Sequence, residues 1–84
     1  MIGKIIKGRR MIGVIAALGN DIHTVKYAVY QEELKIGRQR PYNCMVFVKD
    51  IHEPTEDEIS LYKKYLVKFG YIYSNGDVIK NEEF

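Results

Sequence analysis

Residues 54–70 carry the pattern that most restricts what this chain can fold into. Thr55 is followed three residues later by Glu58, and that spacing caps a helix N-terminus reciprocally, each side chain satisfying the other residue's backbone N–H. Pro54 stands just outside the first turn, where its missing N–H breaks nothing. Glu56, Asp57 and Glu58 crowd the positive end of the helix dipole, while Lys63, Lys64 and Lys68 gather toward the negative end. Ile59, Tyr62, Leu66 and Phe69 fall on one face, widened by Tyr65, and Gly70 supplies the left-handed stop. The spacing predicts an amphipathic helix over 55–69 that has to bury one stripe.

The rest of the chain offers strands for that stripe to cover. Tyr71–Ser74 and Asp77–Lys80 flank Asn75-Gly76, the strongest short hairpin signal, because a type I′ turn needs positive φ at both central positions. Asn43–Asp50 contains the apolar run Cys44–Val48, which predicts a central strand covered on both faces. Thr24–Tyr30 has strong strand propensity, with Val25, Tyr27 and Val29 expected on one face. Met11–Leu18 pairs with it in the favoured reading through a tight Gly19-Asn20 turn; a short buried helix ending at Gly19 is the alternative. Glu33–Ile36 reads as a further strand. Met1–Ile5 and Met11–Ile15 echo each other as two strands of one meander, with Gly3 and Gly13 marking bulges or close backbone approach. The expected architecture is a single α+β domain over residues 1–84: a mostly antiparallel small sheet, the helix laid on one face, and a C-terminal β-hairpin. The helix stripe is expected to pack on Val25, Val29, Val46 and Val48.

Several classes are disfavoured by composition. Two prolines and no Ser/Gly-rich tract leave no internal linker, and the single cysteine, Cys44, fits a reducing, cytoplasmic compartment. Lys4, Lys7, Arg9 and Arg10 ahead of Met11–Leu18 imitate a secretory signal, but a buried strand after a basic turn is the simpler reading. No apolar stretch approaches the roughly 20 residues a membrane span needs. Cys44 with His23 would make a thiolate and a base, yet Cys44 lies in the most apolar run, where a thiol behaves as a small hydrophobe. Asp50 and His52 suggest a divalent metal, yet a strand end followed by helix-capping acids accounts for them. The expectation is a protein that is not an enzyme and holds no metal or cofactor.

Charge gives the functional lead. Residues 1–42 carry eight Lys/Arg against three Asp/Glu, +5, and residues 43–84 carry five against eight, −3. All four arginines fall in the first half as two clusters, each containing a glycine: Lys7-Gly8-Arg9-Arg10 and Lys35-Ile36-Gly37-Arg38-Gln39-Arg40. The guanidinium fork grips phosphate or carboxylate with two hydrogen bonds at once, and nearby tyrosines stack unpaired bases. Lys7, Arg9, Arg10, Lys35, Arg38, Arg40 and Tyr42 are therefore the candidate contacts to nucleic acid or a nucleoprotein, provided the two clusters share one end of the sheet. The alternative is a protein partner, since Arg and Tyr are also enriched at protein interfaces: a stoichiometric inhibitor or adaptor of the kind phages direct at host enzymes. Opposite charge on the two halves also suits a homodimer.

Overall fold

In a computed structural model, which describes residues 1–81, the chain runs β1 (Ile5–Lys7), β2 (Met11–Ala17), β3 (Ile22–Tyr30), α1 (Glu33–Ile36), β4 (Tyr42–Phe47), α2 (Glu56–Lys68), β5 (Tyr71–Ser74) and β6 (Asp77–Lys80). The first four strands form an antiparallel sheet in the order β1-β2-β3-β4, and β5-β6 is a separate hairpin. The capped helix is present as expected. Thr55 accepts from the Glu58 N–H at 3.2 Å and its own N–H donates to Glu58 Oε1 at 2.9 Å, and Phe69 closes the C-terminus. Asn75 and Gly76 both adopt positive φ in the hairpin turn.

After β4 the chain makes a 3-10 turn at Val48–Asp50 and returns to the free edge of β1. There Lys7 and His52 exchange backbone hydrogen bonds of 3.0 and 2.7 Å. The sheet therefore curls, and gains an enclosed inner face and a convex outer face. Ile6, Met11, Ile15, Val25, Ala28 and Val46 fill the inner side, flanked by Tyr42, Cys44 and Ile51. On the outer side, Ile5, Ile12, Val14 and Val29 pack under Tyr62, Tyr65 and Leu66 of α2 and Val78 of β6. Gly13 faces inward opposite Ile6, where a Cβ would overlap Val25 and crowd the Ala28 backbone. Gly3, with φ +88°, lies in the turn before β1 and lets the hairpin turn at Gly76 come against its backbone, with the Tyr73 hydroxyl donating to the Gly3 carbonyl at 2.6 Å.

Five expectations are corrected. The strand covered on both faces is β2, not β4: β2 is central and buried from Met11 through Ile15, whereas β4 is an edge strand with alternating burial. An apolar run marks either situation, and topology decides between them. Glu33–Ile36 is one helical turn, closed by Gly37 at φ 65° with its N–H donating to the Glu33 carbonyl; glycine after a basic turn is a helix stop. The β2–β3 connection is the four-residue loop 18–21, held by the Gly19 N–H donating to His23 Nδ1 at 3.1 Å.

The other two corrections concern packing. Val25 and Val29 lie on opposite faces, because Tyr27 adopts φ 52° and β3 carries one extra residue there, with Tyr27 and Ala28 set against Gly13. Such a bulge reverses the in–out pattern of all that follows, and the Tyr62 hydroxyl fastens it by donating to the Tyr27 carbonyl at 2.6 Å. The helix stripe accordingly packs on Val29 and not on Val25, Val46 or Val48. Val25 and Val46 belong to the inner cluster, and Val48 is exposed.

Candidate functional site

An antiparallel meander puts successive connections at opposite ends, so alternate ones share an end. The β1–β2 turn with Arg9 and Arg10 therefore shares an end with the β3–β4 connection, which carries Lys35, Arg38 and Arg40. The two are fastened together, since the Gln31 N–H donates to the Arg10 carbonyl at 3.0 Å. All four arginines are exposed. Among the described residues the ion pairs are Lys4–Glu53, Lys7–Glu58 and Lys26–Asp77, and no arginine takes part.

The candidate residues divide into three groups. Arg10 and Lys35 line one open cleft with Tyr30, Gln31, Glu32, Glu33 and Ile36. The Tyr30 ring is about half exposed (48%) and leans on Tyr42, with centroids 5.3 Å apart at 37°. Tyr42 is the half-buried support of this pair. Burial, with Cys44 and Tyr30 as neighbours, pushes its phenol well above the usual range, so it stays neutral. Arg9 stands exposed at the tip of its turn, and the Arg38 N–H donates to Glu33 Oε2 at 3.3 Å.

Arg40 lies elsewhere, in a second cleft with Lys68, Phe69, Gly70, Tyr71, Lys80 and Asn81. Lys7 joins neither cleft: its ammonium turns toward α2 and pairs with Glu58 Oε2 at 2.7 Å. Tyr30, Lys68 and Lys80 were not among the sequence candidates. The adjacency of Tyr30 to both arginine clusters was the available signal for it. The two lysines meet Arg40 only because the end of α2 and the end of β6 are neighbours, with the Asn81 N–H donating to the Gly70 carbonyl at 2.7 Å.

Reactive groups are placed as structural parts. Burial raises the Cys44 thiol, the opposite of what activates a nucleophile. His23 is buried and accepts the Gly19 N–H, and His52 serves through its backbone in the closure with Lys7. Among the described residues, no group of three or more His, Cys, Asp or Glu could hold a metal ion, and no helix is long and apolar enough to cross a membrane.

A second surface differs in kind. The outward side chains of β4 are Asn43, Met45 (72% exposed) and Phe47 (52%), and Ile22 stands directly across from Phe47. Leu18 and Val48 are exposed nearby. The six residues of β4 include no charge and no proline, the features that usually protect an open edge. No protein-family model matches the chain, and neither a curated protein nor a solved structure does.

Proposed function

We propose that this protein works by binding, as a small cytoplasmic module that contacts single-stranded nucleic acid or a nucleoprotein through its arginine-bearing end. One observation carries the reading: the two arginine connections lie at the same end, joined by the Gln31–Arg10 hydrogen bond, and bracket the exposed Tyr30 ring. Guanidinium and ammonium groups at Arg9, Arg10, Lys35, Arg38 and Arg40 take phosphates, and Tyr30, backed by Tyr42, offers a flat surface to one unpaired base. Stacking on aromatic rings tolerates any base, so sequence preference is slight.

Salt titration tests this directly. Each neutralised phosphate releases condensed counterions, giving single-strand affinity a log–log salt slope of about −0.7 per contact. Changing Arg38 and Arg40 together to Gln should flatten that slope by about one to two units. If labelled oligonucleotides fail to bind at micromolar concentration and low salt, the reading is wrong.

The β4 edge favours a second reading, in which the protein is a stoichiometric inhibitor or adaptor of another protein. Added strands dock on such edges through main-chain hydrogen bonds, with alternate side chains in apolar contact. The two readings separate in a pull-down performed with and without nuclease. A protein that stays bound after nuclease and high salt, and is lost with Met45→Lys, belongs to the edge. One that disappears with nuclease belongs to the arginine end.

A further inference from the structure

Strand β4 has one edge to spare. Among the described residues, its backbone forms hydrogen bonds only in the ladder with β3. The exposed apolar row at this edge does not stop at the strand, since it continues sideways to Ile22 and onward to Val48. An edge of this kind is a template for another strand, and the residues around it say which strand fits.

The two ends of β4 differ in sign. The strand begins at the arginine-bearing end, where the β1–β2 turn and the β3–β4 connection together carry five Lys/Arg against two Asp/Glu. Glu82 and Glu83, which follow Asn81 in the sequence, leave that excess positive even when both are counted with it. Where β4 ends, the Asp21 carbonyl accepts the Val48 N–H at 2.8 Å, and Asp50 closes the 3-10 turn. The cation there, Lys49, stands over the Phe47 ring, 5.7 Å from its centroid, so two carboxylates face one ammonium. Antiparallel pairing of β4 with its own copy lays each positive start beside a negative end. Parallel pairing would lay arginines beside arginines, which costs energy. The strand itself puts no obstacle in the way. A charge near its middle would meet its own like across a two-fold axis, and residues 42–47 carry none.

We infer that β4 pairs antiparallel with β4 of a second copy of this chain, about a two-fold axis at Met45, so that two four-stranded sheets become one continuous sheet. An axis perpendicular to the sheet keeps outward side chains outward, so residues of matching parity face each other. With Met45 set against Met45 of the second copy, Asn43 faces Phe47 and Cys44 faces Val46. Pro41, which has no N–H to give, then stays outside the ladder. The contact is isologous and closes on itself, so the assembly stops at two copies. It does not depend on the nucleic-acid reading, and it gives the β4 edge an occupant other than a foreign strand.

Sedimentation velocity of the full chain, from about 1 µM to about 0.5 mM, covers the affinities expected of a small interface. The wild-type protein should pass from the mass of one chain to that of two. Met45→Lys sets two ammonium groups against each other across the axis, and Met45→Glu sets two carboxylates, so each variant should remain at the mass of one chain. Mixed in equal amounts, the two variants should associate again, because lysine then meets glutamate. The mass of one chain for the wild type at every concentration overturns the inference and leaves the edge to a foreign strand. A dimer that persists in Met45→Lys also overturns it, since the copies then meet elsewhere. Mixed variants that stay apart show that residue 45 does not face itself, which overturns the pairing at Met45. The Met45 side chain is exposed, and unchanged thermal melts confirm that any loss is one of association.

Discussion

The outer face of the four-stranded sheet is covered by parts distant in sequence, whereas the inner face is covered by the sheet's own curl. Over the outer face, large side chains from α2 descend on Ile5, Ile12, Val14 and Val29. Inside, the space is filled by aliphatic side chains around small residues, and Gly13 and Ala28 allow strands to approach closely. A cover made of separate large parts fails when a part is removed. An enclosure made by close approach fails when something is added. The two faces should therefore respond oppositely to changes in side-chain size.

The largest effect belongs to the outer face. Leu66 is fully buried between the helix and the sheet. Leu66→Ala should cost about 2–5 kcal/mol, since removed methylenes leave a cavity that a helix anchored at several other points cannot close. Chemical denaturation measures it. A loss below about 0.5 kcal/mol would mean that the helix does not cover this face.

The inner face should show the reverse sensitivity. Gly13→Ala adds a single methyl, yet its Cβ would overlap Val25 and press on the Ala28 backbone. The expected cost is about 1–3 kcal/mol, typical of overpacking. Val25→Ala removes the side chain in the way, so the pair Gly13→Ala/Val25→Ala should be more stable than the two single losses predict when summed. Strict additivity would show that the inner face has room to relax, and would erase the contrast between the faces.

This contrast also separates what was legible in the sequence from what was not. The helix over 56–68 and the Asn75-Gly76 hairpin were legible because their signals are local: a cap, a stop and a turn dipeptide. The shared end of the arginine connections follows from simple parity once β1 to β4 form a meander. The inner face was not legible, since it depends on a positive φ at Tyr27, a conformation its side chain does not favour. The hydroxyl of Tyr62 fastens that bulge from 35 residues away. Lys68 could be read only as a cation suited to a helix end. Its meeting with Arg40 and Lys80 is a product of how α2 and the hairpin dock.

The smallest effect is expected at the polar margin of the outer cover, where α2 meets the arginine-bearing end. Glu58 closes the capping box with one oxygen. With the other it pairs with Lys7 at 2.7 Å and accepts from Gln31 Nε2 at 3.2 Å. The Lys7 hydrogen bond, with the Thr55 N–H next, holds this carboxyl below the ordinary glutamate range. A folded-state value below the unfolded one means that the contribution is present at neutral pH. It fades as pH falls through about 4 and then through the lowered value. Glu58→Gln preserves a residue that can cap but removes the charge, so it isolates the Lys7 pair. The expected loss at pH 7 is about 0.5–1 kcal/mol, small because both side chains keep some solvent contact, and it should shrink further in high salt. Asp77, held low mainly by Lys26, titrates in both proteins and cancels from the comparison. The gap between wild type and Glu58→Gln should therefore close on acidification. A gap of constant size from pH 7 to pH 3 would show that the side chain acts through its shape and its hydrogen bonds, with the charge on Lys7 contributing nothing to the cover.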